Sequence, residues 1–355
     1  MTITTPAGSS TAGAVPTATI RLGLVGAGWI GAFHAQSIAL RVPNAELAMV
    51  ADPVPGAAER VAGPIGVGRT TTDAAEVFAD PTIDGVVIAA PAFTHTDLVV
   101  QAAEAGKAVF VEKPMALTLE DADRAVAAAE AAGVPLQVGF NRRLSTDFAA
   151  AGALVHDGRI GTPQLLRSLT RDPGLANPAA IKPWTIFNET LIHDFDTLNW
   201  FNRGARPVEV HAFADALVAP DFREQGLLDT AVVTIRYDNG AIATAEANFS
   251  AAYGYDVRGE VFGSAGMVTA GDVRATNARL FGADGVTSLT TRLNIDLFHQ
   301  AYTDELVAFA DAVRTGIVTA AGGADARAAL VLALAARASV ERGAVVRLGA
   351  DGRVA

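Results

Sequence analysis

Two hydrophobic patterns meet near residue 140 of this chain. Before it, mainly apolar runs at 20–25, 46–51, 85–90, 109–111 and 136–139 alternate with stretches of helical periodicity at about 55–62, 73–79, 96–105 and 119–132. Short apolar runs without polar alternation read as strands buried on both faces, and their alternation with helices predicts a parallel sheet. The run at 136–139 is read as the sixth and last strand of a doubly wound unit, five of whose strands are marked by such runs. After residue 142 the pattern changes. A helix over about 145–157 and a strand over 164–170 precede a loop, 172–186, that contains Pro173, Pro178, Lys182, Pro183 and Trp184. A helix over about 189–201 follows, then runs of alternating apolar residues at 208–217, 228–237, 241–249, 257–263 and 267–270. Alternation of this kind predicts an antiparallel sheet with one face open, and Asp238-Asn239-Gly240 supplies a hairpin turn. Helices at about 297–315 and 322–342 and a strand at 345–348 complete the pattern.

The predicted fold class is therefore α/β followed by α+β: a dinucleotide-type domain over 19–142, then a domain with a large, mostly antiparallel sheet over 143–355. The final segments are free to return onto the first domain. Residues 1–18, rich in Thr, Ala, Gly, Ser and Pro, read as a flexible tail without the features of a signal peptide.

Composition narrows the function. Half of the residues are hydrophobic and 18% charged, enough apolar material for a sizeable core, and the net charge of −11 with no basic stripe argues against a nucleic-acid partner. No cysteine is present, which removes disulfides, thiolate metal sites and thiol nucleophiles. The six histidines show no metal-type spacing, so no metal is expected. No apolar run reaches membrane-spanning length, and the expected location is cytoplasmic.

The first chemical signal is Gly26-Ala27-Gly28-Trp29-Ile30-Gly31, placed between a strand and a helix. The first glycine allows a tight turn, the second lets a pyrophosphate approach the backbone, and the third lets helix and strand pack closely. The free N–H groups at the helix start then face the phosphates. Asp52 ends the next strand, 21 residues after Gly31. An acid there accepts both ribose hydroxyls of NAD and repels the 2′-phosphate of NADP, so NAD is the expected cofactor. The second signal is Val109-Phe110-Val111-Glu112-Lys113-Pro114: a buried strand that stops at a proline, where such sheets bind ligands. Only Lys107, Lys113 and Lys182 are lysines, against 24 arginines among the 27 basic residues. A lysine kept at a strand end in so arginine-biased a chain points to work that needs an amine.

The third signal lies at 187–196. On a helix Glu189 and His193 share one face, with Asp196 three residues further on, and a carboxylate beside an imidazole suits a general base.

Taken together, these pieces resemble the glucose–fructose oxidoreductase / inositol dehydrogenase (Gfo/Idh/MocA) family. The resemblance rests on Gly26-Ala27-Gly28-Trp29-Ile30-Gly31, Glu112-Lys113-Pro114, Gly139-Phe140-Asn141-Arg142-Arg143, Ile192-His193-Asp194-Phe195-Asp196, Tyr253-Gly254-Tyr255-Asp256 with Glu260-Val261-Phe262-Gly263, and Ala301-Tyr302. It covers nearly the whole chain from residue 20 and is greatest to inositol 2-dehydrogenases. It implies NAD-dependent oxidation of a secondary hydroxyl on a cyclic polyol or sugar, with Lys113 and His193 catalytic and Glu189 orienting one of them. Pro91, His95 and Glu112 join the glycine loop and Asp52 as expected cofactor contacts. Arg143, Asp172, Asn188, Tyr253 and Tyr255 are expected at the substrate, with only one of the two tyrosines needing to face it. The family usually carries Asp where this chain has Glu189, and glycines where it has Pro183-Trp184-Thr185-Ile186, so Trp184 is expected to reshape the pocket. The resemblance further implies a homodimer or homotetramer. Two rival classes are an enzyme that recycles tightly bound NAD within one turnover and a non-catalytic ligand sensor.

Overall fold

The computed structural model describes residues 18–175 and 177–355; apart from Ala18, the expected tail lies outside them. Strands β1 (Ile20–Val25), β2 (Ala45–Ala51), β3 (Thr70–Thr71), β4 (Gly85–Ile88), β5 (Ala108–Val111) and β6 (Leu136–Val138) form a parallel sheet in the order β3-β2-β1-β4-β5-β6. That order is the doubly wound arrangement of dinucleotide-binding proteins, with the crossover between β1 and β4. Helices α1 (Trp29–Arg41), α2 (Ala57–Ala62), α3 (Ala74–Ala79), α4 (His95–Glu104) and α5 (Leu119–Ala132) connect the strands. The boundaries of α5 follow from local chemistry. Thr118 Oγ1 accepts the Asp121 N–H at the start, and Gly133, at φ 65°, ends the helix in the left-handed region.

The second half contains α6 (Thr146–His156), β7 (Pro163–Arg171), a π-helical turn (Ile186–Thr190), α7 (Leu191–Phe201), β8 (Pro207–Asp215), β9 (Thr230–Tyr237), β10 (Ile242–Asn248), β11 (Asp256–Gly263) and β12 (Gly266–Ala270). It continues with β13 (Arg274–Gly282), β14 (Gly285–Thr290), α8 (Asn294–Leu297), α9 (His299–Thr315), α10 (Gly323–Arg342) and β15 (Val346–Arg347). Seven strands make one sheet in the order β12-β11-β7-β10-β9-β8-β15. Its pairings are antiparallel except for β7 with β10. β13 and β14 stand apart as a two-stranded hairpin that the hydrophobic pattern does not predict.

The large sheet is two-faced. Val210, Ala212, Val233, Ile235, Ala243, Ala245 and Ala247 are buried on the face that packs against α7 and α10, and the run of alanines along β10 lets α7 lie close. On the other face Ile242, Leu165, Phe262 and Met267 sit in register across β10, β7, β11 and β12, and all four are exposed.

The last helices do return to the first half. Leu306, Phe309 and Ala310 of α9 join Leu22, Leu24, Val87 and Phe110 in one buried cluster on the parallel sheet. α10 packs on α5, and the Val138 N–H donates to the Ala321 carbonyl at 2.9 Å. These contacts hold the two halves together.

Candidate active site

A cleft of about 480 Å³ opens at the carboxyl ends of the parallel strands. Trp29, Ile30, Pro91, Glu112, Lys113, Asn188 and Glu189 are among the residues that line it. Trp29 and Ile30 bring the end of the glycine loop to its wall, and sterics fix the loop itself. A Cβ at Gly26, which has φ +100°, would lie 2.6 Å from the backbone of Ala89 and Ala90, and one at Gly31 would lie 1.9 Å from the Gly26 carbonyl oxygen. Gly28 instead leaves open space. α1 then begins at Trp29 with no side-chain cap and no acid in its first turn, so its free N–H groups are available to an anion. Asp52 accepts the Ala27 N–H at 2.7 Å and the Val54 N–H at 2.9 Å, which fixes its carboxylate beside the loop with lone pairs to spare. An empty cradle of this shape, an uncapped helix start and an oriented acid fit a dinucleotide.

Lys113 stands at the end of β5, before a cis bond to Pro114. Its Nζ donates to the main-chain carbonyl of Glu189 at 3.1 Å. That carbonyl belongs to the π turn, which opens on Trp184: the Phe187 and Asn188 N–H groups both donate to the Trp184 carbonyl at 3.0 Å. Trp184 has φ 66° and is pinned by the Arg337 guanidinium, 5.0 Å from its ring centroid, and by stacking on Phe187.

His193 follows in α7. Burial, then the Lys113 and Arg142 charges, hold its imidazole well below the ordinary range, so the ring is neutral at physiological pH. Its Nδ1 is buried without a partner, and the ring is not among the residues that line the cleft. Phe140 meets the ring edge-on at 5.8 Å and restricts its tilt. Arg142 is buried beside it and donates to Asp194 at 2.8 Å and to Thr170 at 2.6 Å. Asp194 also accepts from Ser168 and Thr170, so it is a buried anchor. Asp172 hydrogen-bonds Tyr255, and burial pushes its carboxyl up to about 6 against the pull of Tyr255, Arg142 and Lys113. Burial likewise raises the Tyr255 hydroxyl, which stays protonated. A second cavity of about 520 Å³ contains Asp172 and Tyr255 and shares Thr185 and Asn294 with the cofactor cleft. The two openings thus meet at Thr185 and Asn294.

Residues 20–140 match the oxidoreductase family with an NAD-binding Rossmann fold, and residues 148–269 match the GFO/IDH/MocA C-terminal domain. The chain belongs to the Gfo/Idh/MocA oxidoreductase family. It is 36% identical over 335 residues to scyllo-inositol 2-dehydrogenase (NAD(+)) of Bacillus subtilis, covering 93% of this chain and 96% of that protein. It is 38% identical over 324 residues to inositol 2-dehydrogenase of Rhizobium meliloti, covering 91% and 97%. Among solved structures, scyllo-inositol dehydrogenase from Lactobacillus casei with bound NAD(H) and scyllo-inositol superposes with a TM-score of 0.88 at 28% identity, over 93% of this chain and 99% of that one.

Within this Gfo/Idh/MocA frame several expected residues fall elsewhere. Arg143 does not face the opening: it holds Asp196 through two hydrogen bonds, at 2.9 and 2.6 Å, and Asp325 at 3.0 Å, all beneath Trp200. Its neighbour Arg142 takes the place beside His193. Tyr253 is half exposed, donates to Asp256 at 2.7 Å and accepts from Arg171, so Tyr255 is the tyrosine that reaches the site. Glu189 and His193 share no hydrogen bond, because the π turn takes Glu189 off the helical face, and it is the Glu189 main chain that meets Lys113. His95 is buried, with its ring nitrogens 2.8 Å from the Pro114 and Ala90 carbonyls; it braces the Lys113 turn and does not line the cleft. Trp184 lies beneath the loop and does not line the cleft either. Asn188 does, and its Oδ1 is buried with no partner. Asn294 and Thr185, on both cavities, carry no motif that marks them in the sequence.

Proposed function

We propose that this chain is an NAD-dependent dehydrogenase that oxidises a secondary hydroxyl of a cyclic, inositol-like polyol to a ketone. One observation carries the reading: Lys113, fixed on the Glu189 carbonyl, stands in the same cleft as the glycine loop, and its field acts on the neutral His193. Bound in that cleft, NAD supplies the hydride acceptor. His193 Nε2 takes the hydroxyl proton, and its lowered pKa keeps it free to do so at neutral pH. Lys113 Nζ donates to the substrate oxygen and stabilises the developing alkoxide. Arg142, Asp172, Tyr255 and Asn188 offer the alternating donors and acceptors that a polyhydroxylated ring requires, and Asp172 keeps Tyr255 oriented. The names of the relatives support the inositol class, and Asp52 supports NAD over NADP.

The exposed row of Ile242, Leu165, Phe262 and Met267 supports a homo-oligomer built on the outer sheet face, since a monomer rarely leaves so continuous an apolar stripe in water. No helix among the described residues is long and apolar enough to cross a membrane. A cytoplasmic location, where NAD is held, agrees with the cofactor.

The test is a panel of inositol isomers and pyranoses assayed with NAD and with NADP, the product ketone being identified by NMR. NADH formation with an inositol is the expected result. Turnover of pyranoses alone, or turnover that needs no added NAD, would overturn it.

A further inference from the structure

Beneath the cofactor cleft lies a buried cluster that hydride transfer does not use. It comprises His34 of α1, Glu112 at the end of β5 and Glu305 of α9, with one polar side-chain atom of each within 4.8 Å of the others. The three residues are 0%, 6% and 1% exposed. His34 Nε2 lies 2.7 Å from Glu112 Oε1, and Glu112 Oε2 accepts the Lys113 N–H at 3.1 Å. Glu305 is different: both of its carboxyl oxygens are sealed and unpartnered.

Two carboxylates this close, shut away from water beside a single imidazole, do not both remain ionised. The surroundings decide which one keeps the charge. Burial and the neighbouring Glu112 charge push the Glu305 carboxyl well above the ordinary range. Burial also acts upward on Glu112, but the His34 hydrogen bond and charge, with Lys113 and His95, outweigh it and lower its pKa. The proton therefore sits on Glu305 and the charge on Glu112. Glu112, with Lys113 and Tyr302, lines the cofactor cleft. Oxidised nicotinamide carries a positive charge that the reduced ring lacks, and a desolvated carboxylate nearby favours the charged form.

We propose that His34 is a positioning residue that holds Glu112 as a carboxylate at the wall of the cofactor cleft, with Glu305 left neutral behind it, so that the site prefers oxidised nicotinamide dinucleotide to its reduced form. This rests on the reading of the cleft as the dinucleotide site. Dissociation constants for NAD⁺ and NADH, measured separately by calorimetry on the full chain, test it. Glu112→Gln and His34→Leu should each weaken NAD⁺ by about tenfold, the equivalent of one pKa unit, while NADH changes by less than about twofold. Glu305→Gln, uncharged and of the same shape, should keep the wild-type ratio, because Glu305 already carries its proton. Equal weakening of both forms in Glu112→Gln would overturn the proposal, and that variant decides the matter where His34→Leu does not fold. So would a stoichiometric metal ion retained through dialysis, which would make the cluster a ligand set. Failure of the wild type to bind either form would instead bring down the reading of the cleft.

Discussion

The amine of Lys113 donates to the main-chain carbonyl of Glu189 at 3.1 Å, across 76 positions of sequence. A carbonyl orients the ammonium without forming an ion pair, so the full charge stays available to a substrate oxygen. Replacing Lys113 by Met keeps the length of the side chain and removes the donor. Turnover should fall by ~10³-fold, while NADH binding, measured by fluorescence, stays within about twofold of wild type. Near-normal turnover would end the role assigned to this lysine.

His193 is held neutral by burial and by Lys113 and Arg142, with its pKa well below the ordinary imidazole value. A lowered pKa means that protonation removes the base only on the acid side of that ordinary value. The wild-type rate should therefore hold through pH 6.5 and fall below it. His193→Asn should lose ~10²- to 10⁴-fold in turnover and lose that acid limb; an unchanged pH–rate profile would exclude the general-base assignment.

Burial raises the Asp172 carboxyl to about 6 from its ordinary 3.8. The folded state thus binds this proton more tightly than the unfolded chain does. The penalty is absent below 3.8, grows as pH rises to about 6, and is then constant, at about 3 kcal/mol as an upper limit. Asp172→Asn should raise the melting temperature at pH 7 and leave it unchanged near pH 3.5, while the KM for the polyol rises. Equal melting shifts at both pH values would mean that Asp172 does not titrate in this way.

The outer row of the seven-stranded sheet makes a separate prediction. Leu165→Glu with Phe262→Glu places two charges in the middle of the apolar stripe without touching the inner face. Light scattering after gel filtration should show a smaller assembly with little change in the far-UV spectrum. An unaltered mass would move the interface elsewhere.

Arg143 serves the fold. Arg143→Ala leaves Asp196 buried without its cation, and burial already pushes that carboxyl upward, so a loss of ~3–5 kcal/mol in urea unfolding is expected. Arg143→Lys cannot restore the two-pronged contact and should recover only part of the loss. A variant as stable as wild type would show that the pair is expendable.

The sequence reveals most where one residue type is needed for one steric or electronic reason. The glycine loop, Asp52 hydrogen-bonded to it, and the strand that stops at Lys113 are of this kind, and Trp29, Ile30, Glu112 and Lys113 line one cleft. The three lysines divide by position: Lys113 and Lys182 reach the cleft, whereas Lys107 is buried and donates to the Asp80 and Ile83 carbonyls. The remainder depends on backbone geometry that hydrophobic periodicity does not register. β3 has two residues and β13–β14 are exposed almost throughout, so neither needs an apolar pattern. The π turn changes the angular step just before His193, which breaks the i, i+4 relation between Glu189 and His193. Arg142 and Arg143 sit in a 3₁₀ turn, Asn141–Leu144, where successive side chains diverge by about 120°. One meets Asp194 and the other Asp196, and two adjacent arginines give no hint of which does which.

The pairing of Val138 with Ala321 has a consequence for how the protein is made. The edge of the cofactor sheet waits for a segment that leaves the ribosome some 180 residues later, since chains emerge from the amino end. Throughout that interval the nascent first half has β6 bare and the α9-facing surface of its sheet uncovered. A ribosome stalled before residue 300 should therefore display a protease-sensitive, chaperone-bound intermediate, and fragments ending near residue 142 should aggregate when expressed alone.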